Sequence, residues 1–375
     1  MRVDFHPSPE PTLGIEWEFG LVDKESRDLV NAAADLFAQA SPGLAEPGRL
    51  HQELLRNTVE VVTGVCLTVG DAIYEMTRAL RVVVDAGDTL GLDLFGAGTH
   101  PFADWSEQQL TDGHRYAELI SRTQWWGRQM LIWGVHVHVG VPERDRVMPV
   151  LSALLTTYPH LQALSASSPL WAGSDTGYAS NRALMFQQLP TAGLPFQFST
   201  WAEFEDFYGD QLTTGVIDGM SDIRWDIRPA PHLGTIENRV CDGISTLAEA
   251  AALAALMHCL VVDLDSRLAG GETLPTLPPW HVQENKWRAA RYGLDAIVIT
   301  DDRSTERLVT DDLADLLERL APTAERLGCA DELGAVADIP ARGASYQRQR
   351  AVAARHDGDL VAVVDAVVRE LREGL

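Results

Sequence analysis

A strictly alternating stretch near the middle of the chain constrains the fold more than any other feature. Residues 133–141 read Trp-Gly-Val-His-Val-His-Val-Gly-Val, so valines alternate with His136, His138 and Gly140. A period of two is that of a β-strand, whose successive side chains point to opposite faces. One face is apolar and is predicted to pack on a core, whereas the other carries two imidazoles about 7 Å apart, since each residue rises ~3.3 Å. The pair indicates either a site or two histidines of an edge strand that face water, and a His-x-His motif alone does not decide between them.

Two further segments repeat this arrangement with acidic side chains. In residues 12–23, Glu16 and Glu18 share one face of a predicted strand, opposite three large apolar side chains. Like charges at this spacing repel unless solvent or a cation lies between them, and a solvated strand face is the alternative interpretation. Glu60 has valines on both sides in a predicted strand, and Glu53 lies shortly before it. A carboxylate inside so apolar a strand is costly to bury unless it is paired or bound to a metal ion.

The last informative strand covers residues 234–240 and carries Glu237 and Arg239 on one face. Arg224 and Arg228 precede it, four residues apart. Arginines close to carboxylates usually form ion pairs, and that interpretation accounts for much of the pattern. Guanidinium groups also bind polyphosphate oxygens well. Both uses of these arginines remain open at the level of sequence.

Composition excludes several classes of partner. The formal charge of −24 and the pI near 4.7 argue against nucleic acid and anionic membranes. The four cysteines form no Cys-x-x-Cys pair and indicate buried thiols in a reducing compartment. The first residues lack the apolar run of a signal peptide, and we expect no stretch of ~20 residues to span a bilayer. These features predict a cytoplasmic protein.

The chain contains two lysines, Lys24 and Lys286, and neither stands in a Gly-x-x-x-x-Gly-Lys run. A Walker-type phosphate loop is therefore absent from the sequence. If this protein binds phosphate, it must do so with arginine and metal ions.

The polar faces of these strands predict an α+β fold. We expect a curved, mainly antiparallel sheet with one face forming the active site and helices packed on the other. A length of 375 residues allows one large domain or two. We predict a single domain over residues 1–375, with a mostly helical part over about 283–375. Several glutamates with some histidine suit Mg²⁺ or Mn²⁺ better than structural zinc, and metal with arginine on a concave sheet is typical of phosphoryl transfer.

Six motifs together resemble the glutamate–cysteine ligase type 2 (carboxylate–amine ligase) family of the glutamine-synthetase-like superfamily. They run in the family's order over most of the chain: Leu13-Gly-Ile-Glu-Trp-Glu-Phe, Glu53 with Asn57-Thr-Val-Glu60-Val-Val-Thr-Gly, Gly98-Thr-His-Pro-Phe, Gly134-Val-His-Val-His-Val-Gly, Trp225-Asp-Ile-Arg-Pro and Thr235-Ile-Glu-Asn-Arg239. The resemblance implies the catalytic-domain fold of glutamine synthetase.

The resemblance also implies a set of site residues. Two or three divalent cations, Mg²⁺ or Mn²⁺, would be bound by Glu16, Glu18, Glu53, Glu60, His136 and Glu237. ATP phosphates would contact Arg228 and Arg239, with Arg182 and Arg224 as further candidates. His138 would face the γ-phosphate or the substrate carboxylate, so that the implied catalytic residues are Arg239, His138 and Arg228.

The implied reaction is attack of a carboxylate, the γ-carboxylate of glutamate, on ATP, followed by capture of the acyl phosphate by an amine. Cations and arginines would offset the charge on the transferring phosphoryl group. The partners would be small molecules (an amino acid carboxylate, an amine and ATP), and we expect a homodimer that binds neither nucleic acid nor membranes. The amine is not identified by any residue.

Two other functions use similar residues. A metal-dependent hydrolase of the amidohydrolase kind carries His-x-His near the start of a barrel, with more histidines and an aspartate on later strands, whereas here the pair follows residue 130 and glutamates dominate. A relative that binds cations and ATP without catalysis is the second alternative. Dependence of ADP release on both glutamate and an amine distinguishes the ligase from both.

Overall fold

An antiparallel sheet of seven strands carries the alternating segments. The computed structural model describes residues 2–45 and 49–375. The strands in this part of the chain are β1 (Leu13–Asp23), β2 (Leu50–Gln52), β3 (Thr58–Val62), β4 (Leu92–Phe95), β5 (Gly134–Gly140), β6 (Leu170–Trp171), β7 (Ser174–Asp175), β8 (Ile227–Ala230), β9 (Thr235–Asp242), β10 (Ile297–Ile299) and β11 (Glu306–Leu308). The main sheet has the order β2-β3-β1-β5-β9-β8, and β4 pairs with β1.

Helices make up most of the remaining chain. They are α1 (Ala33–Ala40), α2 (Val69–Leu90), α3 (His114–Thr123), α4 (Trp125–Arg128), α5 (Arg144–Leu154), α6 (Tyr158–Ser165), α7 (Asn181–Phe186), α8 (Trp201–Thr213), α9 (Leu247–Ala269), α10 (Pro279–Tyr292), α11 (Val309–Leu327), α12 (Ala330–Gly334), α13 (Asp338–Arg342), α14 (Ser345–Arg355) and α15 (Leu360–Glu373). Helices α2, α5 and α9 contact the sheet, and α2 and α5 each contact α9. The helical layer covers the apolar face of the strands, where Ile15, Trp17 and Phe19 are buried.

The expected α+β class with a mainly antiparallel sheet is therefore confirmed, because every pairing described in the main sheet is antiparallel. The helical C-terminal part also contains the β10–β11 hairpin, which the sequence analysis did not predict. The largest hydrophobic cluster joins residues from Val3 to Leu371. The assignment of the whole chain to a single domain stays a prediction.

The prediction that no stretch of the chain is apolar enough to span a bilayer was wrong for helix α9. Leu247–Ala269 is long and apolar enough to cross a membrane, with a mean hydropathy of 1.8 in its most apolar window. In the structure 78% of that window is buried, against helices α2, α5, α11 and α12 and strand β5. A helix that is apolar on all sides packs in the interior of a large domain. The apolar length of α9 therefore serves the core of this fold.

A buried histidine in the Gly98-Thr-His-Pro-Phe motif makes stability dependent on pH. His100 is fully buried, its Nε2 lies 2.9 Å from the carbonyl oxygen of Arg27, and its Nδ1 accepts the backbone N–H of Ala103 at 3.0 Å. Burial lowers the pKa of His100 to about 4. Below about pH 6.5 His100 is protonated in the unfolded chain, whereas in the folded protein it stays neutral down to about pH 4. We expect the free energy of unfolding to fall by about 3 kcal/mol from this residue over that interval.

Urea unfolding of the wild type and of His100→Asn between pH 7.5 and 4.5 measures this effect. Residue 100 does not titrate in the asparagine variant, whereas all other groups titrate in both proteins. The stability advantage of the wild type should therefore shrink as the pH falls. Parallel stability curves across the interval would contradict the assignment.

Candidate active site

Strand β1 is at the centre of the site because both of its neighbours carry candidate residues at matching positions. On one side Glu18 pairs in register with Glu60 of β3. On the other side Glu16 pairs with His136 of β5. Directly opposed residues in antiparallel strands have their Cβ atoms about 5 Å apart on the same face. The register therefore brings the polar residues of three strands together.

A β-bulge continues this cluster onto β9. The pairing of β5 with β9 shifts register between Val135 and Val137, so that β9 contributes one extra residue at this point. A bulge of this kind bends the strand and increases its local twist. Nη1 of Arg239, in the bulged part of β9, lies 3.4 Å from Nδ1 of His136. The bulge thus brings a guanidinium group to the imidazole.

Beyond the bulge, buried Glu237 holds the two central arginines. Glu237 pairs in register with His138 of β5 and with Arg228 of β8. It accepts the Nε–H of Arg228 at 2.5 Å and also binds the guanidinium group of Arg239. Burial raises the pKa of Glu237, but the charges of Arg239 and Arg228 outweigh burial and hold the pKa below its usual value. The ion pairs that the sequence analysis left open are thus present.

Glu16 connects two groups of possible metal ligands. One consists of Glu16, Glu60 and His136, and the other of Glu16, His138 and Glu237. Within each group the potential donor atoms lie within 4.8 Å of one another. The Glu16 carboxylate lies 3.1 Å from Nδ1 of His136 and 3.2 Å from Nε2 of His138. Burial raises its pKa, but the hydrogen bonds to the two histidines outweigh burial, so that the pKa is lowered and Glu16 is ionised.

The acidic side of the cluster consists of Glu16, Glu18, Glu53 and Glu60, whose negative charges are not fully compensated by nearby positive charges. Burial, together with the charges of Glu16, Glu53 and Glu18, raises the pKa of Glu60 well above its ordinary value. Burial also raises the pKa of Glu18, whose Oε2 accepts the backbone N–H of Gly134 at 2.6 Å. Carboxylates concentrated in this way repel one another unless a cation lies between them.

His136 gives an independent sign that a cation fits here. Its Nε2 is buried and has no hydrogen-bond partner in the part of the chain that the structure describes. Burial and the charge of Arg239 lower its pKa, so the imidazole is neutral. A neutral imidazole with an unused ring nitrogen is a good metal ligand, and a set of several carboxylates with one imidazole suits a hard divalent cation. The residues present therefore fit the implied cations.

A cavity of about 280 Å³ lies over this cluster. Nine of the eleven predicted site residues line it: Glu16, Glu18, Glu53, Glu60, His136, Arg182, Arg224, Arg228 and Arg239. His138 and Glu237 do not line it, but they contact Glu16 and Arg228. The structure thus brings all the predicted residues into one neighbourhood.

Part of the cavity lining is apolar and was not predicted. It includes Leu54, Leu55, Leu119, Met130, Ile132, Phe186 and Leu189. These residues come from loops and from helices α3 and α7. The spacing of apolar residues in a sequence predicts that they are buried, but not that they are buried at a functional site. The cavity lining thus combines these apolar side chains with the charged residues that the sequence indicates.

A network of hydrogen bonds that was not predicted from the sequence holds Arg182 in place at the cavity. Its backbone N–H donates to Oγ of Ser168 at 3.0 Å, and that hydroxyl donates to Oδ2 of buried Asp242 at 2.7 Å. Oδ1 of Asp242 accepts the hydroxyl of Ser180, the N-cap of α7, at 2.8 Å. The guanidinium group of Arg182 lies 4.0 Å from Asp242. Helix α7 is thereby fixed with Arg182 at the cavity.

Comparisons with known proteins agree with this geometry. A sequence model of glutamate–cysteine ligase family 2 matches residues 12–366. A relative from Nocardioides sp., provisionally named glutamate–cysteine ligase 2-3, is 74% identical over 375 residues, which are 100% of both chains. A relative from Mycobacterium ulcerans, provisionally named glutamate–cysteine ligase 2, is 67% identical over 370 residues, 99% of this chain and 93% of the relative.

Solved structures share the fold at low sequence identity. Glutamate–cysteine ligase from Francisella tularensis, in complex with AMP, has a TM-score of 0.70 at 14% identity and is matched over 99% of this chain and 90% of its own. A bifunctional glutathione synthetase from Pasteurella multocida has a TM-score of 0.70 at 13% identity, over 98% of this chain and 53% of its own. The arrangement of strands and helices is thus one that occurs in solved ligase structures.

Proposed function

The chain belongs to glutamate–cysteine ligase family 2, and on that premise we propose that it joins the γ-carboxylate of glutamate to an amine at the expense of ATP. It is an ATP-dependent carboxylate–amine ligase, which forms a C–N bond. The observation that carries the proposal is the convergence of the predicted acidic, histidine and arginine side chains around one cavity of about 280 Å³. That combination supplies what phosphoryl transfer requires without a Walker loop.

The acidic side of the cavity would hold the cations. We assign Mg²⁺ or Mn²⁺ to Glu16, Glu18, Glu53, Glu60, His136 and Glu237. When bound, such cations neutralise charge on the ATP phosphates and on the transferring phosphoryl group. The carboxylates in turn lose the mutual repulsion that raises the pKa of Glu60.

The arginine side would hold the phosphates. Arg228 and Arg239 each donate to Glu237, yet a guanidinium group has five N–H donors. The ion pair with Glu237 therefore orients both side chains and leaves donors for phosphate oxygens. Arg182 and Arg224 line the same cavity and are assigned to the same ligand.

His138 would act on the reacting groups from beneath Glu16. Burial lowers its pKa, but the hydrogen bond to Glu16 and the charge of Glu237 outweigh burial and raise it. A protonated imidazole donates a hydrogen bond to a phosphate or carboxylate oxygen. In the structure Nδ1 of His138 lies 2.9 Å from Oγ1 of Thr235 and Nε2 lies 3.2 Å from Glu16. The contact of His138 with the γ-phosphate or the substrate carboxylate stays a prediction, and it requires one of these two partners to be exchanged.

The reaction then has two steps. The glutamate carboxylate attacks the γ-phosphorus of ATP, releasing ADP and forming an acyl phosphate. The amine attacks the acyl carbon, and inorganic phosphate leaves as the amide forms. Water has to be kept from the acyl phosphate, which it would otherwise hydrolyse, and the apolar part of the cavity lining would contribute to this.

The alternatives are less well supported. An amidohydrolase would place its His-x-His pair in a barrel, whereas this pair lies on a central strand of an open antiparallel sheet. A non-catalytic relative would bind the same cations and ATP, so only a measurement of turnover distinguishes it from the ligase. The homodimer and the cytoplasmic location are retained as part of this proposal.

The test is a measurement of ADP release with ATP and Mg²⁺, then Mn²⁺, over glutamate paired with cysteine, other amino acids or hydroxylamine, with the mass of each product determined. We expect ADP release only when glutamate and an amine are both present. Stabilisation by Mg²⁺ without turnover for any pair would contradict the proposal in favour of a non-catalytic relative. Hydrolysis of amides or esters without ATP would favour the hydrolase.

A further inference from the structure

A buried ion pair is connected by a backbone hydrogen bond to the strand that carries Arg239. Lys286 of α10 donates from Nζ to Oδ2 of Asp226 at 2.7 Å, with the two side chains 2% and 6% exposed. The same oxygen accepts the phenolic O–H of Tyr158, from α6, at 3.0 Å. None of these three residues is among the described residues that line the cavity. They therefore do not touch the substrates directly.

Stability alone does not account for this ion pair. Removing a lysine and an aspartate from water carries a large desolvation cost, and apolar replacements of both partners are often neutral or stabilising. Lys286 is one of two lysines in the chain, and the sequence analysis excluded it from a phosphate-binding loop. The presence of such a pair is therefore weak evidence for a role in stability, and the other contacts of Asp226 indicate a role in placing other groups.

The backbone of Asp226 connects the ion pair to the site. Its carbonyl oxygen accepts the backbone N–H of Arg239 at 2.7 Å, and its own N–H donates to the carbonyl oxygen of Gly193 at 2.8 Å. Asp226 is two residues from Arg224 and two from Arg228. A fixed Asp226 carboxylate therefore restrains the backbone near Arg224 and Arg228, which are close in sequence, and near Arg239, which is hydrogen-bonded to Asp226.

We propose that Lys286 and Asp226 are positioning residues for the phosphate-binding arginines. Lys286 and Tyr158 anchor Asp226 from the helical layer, and Asp226 in turn holds Arg228 and Arg239 at the cavity in the arrangement that binds ATP. The inference rests on the proposed function, because it assigns ATP phosphates to those arginines.

The test uses the double variant Lys286→Met/Asp226→Asn in the full chain. This change removes both charges, so no unpaired charge is left buried, and the asparagine still accepts the Tyr158 hydroxyl. We expect cooperative thermal unfolding close to that of the wild type, together with a rise of at least tenfold in the KM for ATP. The kcat and the KM for glutamate should change by less than threefold. Binding of Mg²⁺–ADP, measured by equilibrium dialysis without other substrates, should weaken by the same factor as the KM for ATP rises.

The matched control is Arg146→Met/Asp265→Asn, which removes the partly buried ion pair between Arg146 and Asp265, at 2.9 Å and outside the cavity lining. It should leave the KM for ATP and the affinity for Mg²⁺–ADP unchanged. If the Lys286/Asp226 variant folds and binds ATP and Mg²⁺–ADP as the wild type does, the positioning role is overturned. Should that variant not fold, Tyr158→Phe decides: a rise of at least threefold in the KM for ATP supports the role, and a wild-type KM overturns it. Absence of Mg²⁺–ADP binding by the wild type would instead overturn the proposed function.

Discussion

Replacing Glu16 by glutamine is expected to lower the rate of ATP-dependent ligation by about a thousandfold or more while leaving the fold intact. Glu16 belongs to both groups of possible metal ligands and contacts both His136 and His138. An amide oxygen keeps the size of the carboxylate but loses its charge, so both cations would bind more weakly. Loss of a single group that stabilises transition-state charge already costs about 10²- to 10³-fold. A residue shared by two cations should cost at least as much.

The measurement is kcat and KM for ATP over a range of Mg²⁺ and Mn²⁺ concentrations. Glu25→Gln, the same change at an exposed position in the turn that follows β1, is the matched control and should have wild-type rates. A defect in cation affinity predicts partial recovery as the metal concentration rises. Wild-type turnover of Glu16→Gln at a metal concentration that half-saturates the wild type would remove Glu16 from the site.

The strands of the site could be predicted from sequence because their signal is local. Alternation in β1, β3, β5 and β9 requires no knowledge of the rest of the chain, and it identifies both the strand and the face that carries the polar residues. The resemblance to a known family then supplied the expectation that those faces form one site, but not the order of the strands in the sheet. The register of Glu16 with His136 and of Glu18 with Glu60 is a finding of the structure.

Features that depend on pairing between distant segments could not be predicted in this way. The bulge in β9 arises from the register with β5, and nothing in the alternation of residues 234–240 marks it. The buried anchor joins Tyr158, Asp226 and Lys286, which span 128 positions of the chain. Helix α9 is a different case, because its length and apolar composition can be read from residues 247–269 and only its burial depends on packing against distant segments.

Glu60→Gln is expected to abolish ATP-dependent turnover and, at the same time, to stabilise the cation-free protein. Burial and the charges of Glu16, Glu53 and Glu18 raise the pKa of Glu60. The wild type therefore loses stability as the pH rises through that pKa, because the folded protein then carries an additional unfavourable charge. The glutamine variant carries no such charge. We expect its free energy of unfolding to exceed that of the wild type at pH 8, and the difference to shrink as the pH falls.

Addition of Mg²⁺ should reverse this order of stability. A cation that binds the folded wild type at a hundred times its Kd adds about 2.7 kcal/mol, whereas a variant that has lost a ligand gains far less. Urea unfolding at pH 8 with and without Mg²⁺, with Glu25→Gln again as the control, measures both effects. A Glu60→Gln protein that is less stable than the wild type without cations, or that is stabilised equally by Mg²⁺, would contradict the assignment. The reversal separates a carboxylate retained for its ligand from one retained for the fold, because a purely structural Glu60 would contribute stability in the absence of any cation.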